Sequence, residues 1–194
     1  MGEIFVGLLV SLIFIFAYGA QIRTLFKSED VSGVSLWFWV FIATPVTFTL
    51  IHLFEVNAKW YITMPQFFNS LLGLFILLYV SLFSKNPIKV SLFWIGMIIL
   101  ILSPKIFSIP YDIIQNVSTV MIIVAYISQI IKFRKLKTSA GTELLLYLLF
   151  ALGMIILLTQ MIITNVPNTV IITETTNIIL LITCAILNIQ YRKK

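Results

Sequence analysis

Asn69 and Asn177 lie 108 residues apart, each within a long apolar stretch. Three positions before each stands another polar residue, Gln66 and Glu174, which on a helix shares the same face. An Asn or Gln amide offers two donors and a carbonyl acceptor, a set that suits hydroxyl-rich ligands. The same amide can instead bond between helices and hold a bundle together, for about 0.6 kcal/mol. Glu174 adds a carboxylate inside an apolar run. It sits either at a membrane interface or in a cavity, where it could exchange a proton or recognise a cation. His52 and Gln160 form a third pair at the same spacing, and a lone His is either a satisfied structural residue or a group that titrates near neutral pH. One His, one Cys and scattered acids make no acid–base or metal cluster, so no enzyme, catalytic residue, metal or cofactor is expected.

The elements that must position these residues follow from composition. Of 194 residues, 60% are hydrophobic and 10% charged, and the mean hydropathy is +1.09. A soluble domain is about 45–50% apolar and about 25% charged. A soluble enzyme, a nucleic-acid binder and a disordered tail are excluded. Apolar stretches fall at roughly 3–25, 34–54, 62–83, 88–103, 109–131, 143–164 and 168–190, bounded by charges, Pro, Gly or Asn. At about 20 residues per span these predict seven transmembrane helices; hydrocarbon leaves helices as the way to satisfy the backbone within each segment. The first charge is Glu3 and no basic segment precedes the first stretch, so it is read as a retained span. Trp37, Trp39, Trp60, Tyr61, Tyr111 and Tyr191 are expected as interface anchors. In this arrangement Arg23, Lys27, Lys85, Lys89, Lys132, Arg134, Lys135, Lys137, Arg192, Lys193 and Lys194 share one side, and Lys59 and Lys105 the other. The excess of positive charge places the N-terminus outside and the C-terminus in the cytoplasm, most simply in the plasma membrane.

The 108-residue spacing extends well beyond the asparagines. Tyr18 meets Tyr126, Gln21-Ile22 meets Gln129-Ile130, Lys27 meets Lys135, Gly33 meets Gly141 and Asn57 meets Asn165, without a gap. The first three spans therefore recur as the last three. A fourth span between them restores the orientation, so the copies run parallel: residues 1–86, a linker helix in 87–108, and residues 109–194. Parallel repeats are a transporter plan with the solute site near midplane. Pro45 is matched by Gly153; these are bending points or places of close helix packing. Asp112, Gln115 and Asn116 have apolar mates, and Gln115 and Asn116 are read as further cavity groups.

Ala20-Gln21-Ile22, Lys27-Ser28 and Gly33-Val34-Ser35-Leu36, with Ser128-Gln129-Ile130, Lys135 and Gly141 as a degenerate second copy, resemble the PQ-loop signature. Ala20 and Ser128 stand where that signature has proline. Two such copies in a 3+1+3 order resemble the SWEET sugar transporters and their PQ-loop relatives. The resemblance implies an all-α membrane carrier working by alternating access, without energy coupling. It implies that Asn69 and Asn177 face the solute and that Gln21, Gln129, Lys27 and Lys135 lie at the cytoplasmic gate. The implied partners are a small polar solute, with a mono- or disaccharide favoured, and the lipid bilayer; a homo-oligomer is compatible with this reading, and no nucleic acid is expected. A proton-coupled carrier of an amino acid or other small solute is the alternative on account of Glu174. A seven-helix receptor or chaperone-like protein is the other.

Overall fold

The computed structural model describes residues 2–28, 31–82, 87–163 and 168–192, with the side chains at 3, 62, 87–89, 111, 112, 115, 160, 161, 168–170 and 173 outside the description. Gln160, Gln115 and Asp112 thus have no described side chain, and Lys85, Asn165, Lys193 and Lys194 lie outside the described residues.

The described chain is all-helical, with seven helices: α1 (Gly2–Lys27), α2 (Leu36–Glu55), α3 (Trp60–Leu82), α4 (Pro87–Ile106), α5 (Tyr111–Leu136), α6 (Leu144–Ile163) and α7 (Asn168–Gln190). Ser35 caps α2 by accepting from Phe38 N–H at 3.2 Å, as a side-chain oxygen does at a helix start. α5 runs further than its apolar stretch, through Lys132 and Arg134, until Lys137 turns left-handed at φ 52° and returns its N–H to Phe133.

Within these helices, Ile4–Lys27, Leu36–Glu55, Thr63–Leu82 and Asn116–Leu136 are long and apolar enough to cross a membrane. Val90–Ile106, Leu144–Thr159 and Glu174–Gln190 are shorter apolar helical stretches. Outward positions are apolar: Phe5, Phe16 and Ile163 are 68%, 67% and 73% exposed. The interior instead holds Gln21, Gln129, Asn69, Asn177 and Asn188. Buried amides beneath an exposed apolar shell fit a hydrocarbon solvent, where polar groups turn inward.

The helices pack as a ring. α3 lies between α1 and α2, and α7 between α5 and α6. α1 also packs on α6, and α2 on α5, which closes the ring; α4 rests on α2 and α3 at its edge. One core cluster spans both halves, centred on Tyr18, Phe38, Trp39, Tyr126, Phe133 and Tyr147.

Two aromatic expectations separate here. Trp37 is exposed and stacks on Phe41, as an anchor does. Trp39 is no anchor: it is 2% exposed, against Phe38 and Tyr18. Two residues on a helix are about 200° apart, so when Trp37 faces out Trp39 faces in.

Candidate functional site

A cavity of about 270 Å³ lies at the centre of the ring and is lined by α1, α2, α3, α5, α6 and α7. Gln66 and Asn69 enter it from α3, Glu174 and Asn177 from α7, and Pro45 and Thr49 from α2. Asn69 and Asn177 each follow their helix start by nine residues, about 14 Å along a helix roughly 35 Å long, so both sit near mid-depth. Four of the six expected solute-binding residues are thus brought together. Glu174 is half-buried and lines the cavity. The volume falls just below the about 300–1,000 Å³ of sites for drug-sized ligands, which points to a small solute.

The two asparagines are held differently. The Tyr18 hydroxyl donates to Asn69 Oδ1. Asn177 Nδ2 donates to Glu174 Oε2 at 3.1 Å, one turn away. Asn177 Oδ1 and Gln66 Oε1 are buried and have no hydrogen-bond partner. Phe14 and Phe150 stack at 4.8 Å and 15° on the cavity wall. Gly153 lets α6 approach Phe14 closely: a Cβ there would lie 2.8 Å from the ring. Pro45 lines the cavity within an unbroken α2, where it deprives the Phe41 carbonyl of its helical partner.

His52 is not part of this cavity. It lines a separate space of about 150 Å³ with Glu55, Ile101, Leu102 and Lys105, between α2 and α4. His52 is seven residues beyond Pro45, about 10 Å along α2, so its depth puts it past the central site. Asn116 is also no cavity group, being exposed on α5.

On the other side of the cavity the ring is shut. Tyr18, Phe38, Trp39, Tyr126, Tyr147 and Phe150 pack around a void of only about 10 Å³. Beyond this aromatic layer lies a pair of clamps. Gln21 Nε2 donates to the Gly141 carbonyl at 2.7 Å, and Glu143 N–H donates to Gln21 Oε1 at 2.8 Å. Gln129 Nε2 donates to the Gly33 carbonyl at 2.7 Å, and Ser35 N–H donates to Gln129 Oε1 at 3.0 Å. Each glutamine therefore holds the loop that precedes a helix of the other half. Both are fully buried, at 1% and 0% exposure.

Further residues complete the clamps, and of these Thr24, Thr142, Glu143 and Asn188 are not singled out by the sequence. Thr24 donates to Glu143 Oε2 at 2.5 Å, and Lys132 Nζ donates to the Val34 carbonyl at 2.6 Å. Ser128 donates to the Ala125 carbonyl at 2.7 Å and lies 3.3 Å from Ser35 Oγ. Asn188 donates to Thr142 Oγ1 at 2.7 Å. The 108 spacing was the available signal, since it relates Thr24 to Lys132 and Ser35 to Glu143. Lys27 and Lys135 stay outside the clamps, exposed at the ends of α1 and α5. Gly33 and Gly141 make the loops' approach feasible: a Cβ on Gly33 would lie 2.7 Å from the Ala140 carbonyl oxygen, and one on Gly141, at φ +77°, 2.8 Å from Val31 Cα.

Comparison with protein-family models, with curated proteins and with solved structures returned no match.

Proposed function

We propose that this chain is a membrane carrier that moves a small polar solute by alternating access between two three-helix units. In this reading all seven helices span the bilayer. α1–α3 and α5–α7 are parallel copies, and α4 is the linker. The observation that carries it is the central cavity between the units, whose lining holds residues from both units that lie 108 positions apart: Gln66 and Glu174, and Asn69 and Asn177. The helix contacts support the pairing, since each unit has its third helix between the other two and the units meet through α1–α6 and α2–α5. The clamp end carries Arg23, Lys27, Arg134, Lys135 and Lys137, and the far end Lys59 and Lys105. That asymmetry supports a cytoplasmic clamp end in a plasma membrane, with the N-terminus outside.

Rocking of the units about the cavity would open the aromatic layer and the clamps on one side as the other side closes. Pro45 and Gly153 sit at cavity depth, where a bend would act on the site directly. The likeness to SWEET and PQ-loop carriers favours a sugar moved without coupling. The cavity volume favours a monosaccharide over a disaccharide. A second reading, coupled carriage of a charged solute, is supported by Glu174 in the cavity lining, because a neutral sugar requires no carboxylate there.

The test is solute counterflow in proteoliposomes over a panel of sugars, amino acids and amines, with and without a proton gradient. Saturable exchange of any member supports a carrier. Ligand binding without exchange would identify a receptor.

A further inference from the structure

Two buried acceptors without a donor stand beside a carboxylate in the lining of the central cavity, which also carries the hydroxyls of Ser118, Thr119 and Tyr126. With Nδ2 committed to Glu174, Asn177 turns Oδ1 away as an acceptor, and that atom is buried without a donor in a residue only 3% exposed. Gln66 Oε1, on the same cavity from α3, is a second buried acceptor without a donor. Thr49 gives its proton to the Pro45 carbonyl at 3.1 Å, so it too has only lone pairs to offer. Glu174 adds a carboxylate, and among the described side chains the lining holds no Lys, Arg or His.

A buried acceptor without a donor costs free energy, and an unpaired carboxylate costs more. A hydroxyl brings lone pairs along with each proton, and no charge. A sugar would therefore leave the carboxylate without a counter-charge. A primary ammonium brings three N–H donors, no acceptor and one positive charge. It matches Glu174, Asn177 Oδ1 and Gln66 Oε1 in sign, with a donor for each. The stacked Phe14 and Phe150 supply an aromatic wall for an apolar body. A free amino acid would add a carboxylate for which the described lining has no cation.

Resting on the carrier reading, we propose that the solute is a small organic amine whose ammonium group is held by Glu174, Asn177 and Gln66. The test is calorimetric titration of the purified full-length chain in detergent with phenethylammonium, its N,N,N-trimethyl analogue, phenylalanine and glucose. Phenethylammonium binds. The trimethyl analogue, which keeps the charge but has no N–H, and phenylalanine each bind at least tenfold more weakly, and glucose does not bind. Glu174→Gln weakens phenethylammonium at least tenfold, and Glu174→Asp retains part of the affinity; melting curves of both establish that they are folded. Absence of phenethylammonium binding, equal affinity for the trimethyl analogue, or equal affinity in a folded Glu174→Gln overturns the proposal. The two analogues act on the wild-type chain, so the test survives a variant that does not fold. Glucose binding with counterflow would reject the amine and keep the carrier. Amine binding without counterflow would reject the carrier and keep the amine site.

Discussion

Gln21 and Gln129, 108 residues apart, make the same pair of hydrogen bonds to each other's half of the chain: a side-chain N–H to a glycine carbonyl and a side-chain oxygen from the N–H two residues later. A glutamine amide is well suited to this, since one planar group supplies both donor and acceptor at the geometry of a peptide. Replacing either by Ala leaves a buried carbonyl and a buried N–H unpaired, at about 1–3 kcal/mol. Gln21→Ala and Gln129→Ala are each expected to lower the melting midpoint in detergent. They should also expose Cys184, the sole cysteine, which is fully buried in α7 behind the aromatic layer. Maleimide labelling of Cys184 should be faster in both variants than in wild type. Unchanged labelling would mean that the glutamines do not hold this end closed.

The glycine positions make a graded prediction. Gly33→Ala and Gly141→Ala push a Cβ into backbone, which cannot rotate away, and Gly141 also has a positive φ that an L side chain resists. Both should cost at least the about 1–3 kcal/mol typical of overpacking, with Gly141→Ala the worse. Gly153→Ala meets side chains rather than backbone, the edge of the Phe14 ring at 2.8 Å and Ile13 Cγ2 at 3.4 Å. It should melt closest to wild type but narrow the cavity, because Phe14 and Met154 both line it. Thermal melting ranks the three, and a Gly153→Ala variant that melts below Gly33→Ala would contradict this account.

Much of this arrangement was legible in the sequence, and the rest was hidden for a physical reason. Helix extents follow from apolar runs and their punctuation, so they were readable except where α5 continues through Lys132 and Arg134. The cavity group Gln66, Asn69, Glu174 and Asn177 was readable because polar residues are scarce and paired at one spacing. Azimuth was not. Whether Trp39 or Asn116 points inward depends on a helix rotation of about 100° per residue that depth alone does not fix. The clamp partners were hidden for another reason: Gln21 and Gln129 bind backbone groups, which leave no mark on residue identity, so Ser35 and Glu143 can differ and still serve alike.

Tyr18→Phe tests the asymmetry between the two asparagines. It removes the donor to Asn69 Oδ1 and keeps the ring among Trp39 and Phe150. A hydrogen bond between membrane helices averages about 0.6 kcal/mol with a maximum near 1.7 kcal/mol, so the melting midpoint should fall by only a few degrees. Asn69, which lines the cavity, then has an unpaired acceptor. Solute affinity should change by more than stability does, and titration beside melting separates the two. A fall in melting midpoint with unchanged affinity would make the Tyr18–Asn69 bond purely structural.

Asn177 is the most exacting position for the carrier reading, because its two ends do different work. Nδ2 holds the Glu174 carboxylate, and Oδ1 is buried without a donor. Asn177→Ala removes both and should abolish counterflow. The loss of one short-range bond on a single helix should leave the protein folded and inserted. Asn177→Asp keeps an acceptor toward the cavity but puts a second carboxylate beside Glu174, where two like charges cannot both be held without cost. It should therefore transport poorly and bind solute with a steeper pH dependence than the wild type, since one carboxyl must take a proton for the pair to sit together. Counterflow measured at two pH values for wild type and both variants checks this. Wild-type exchange rates in a folded Asn177→Ala would remove Asn177 from the solute site.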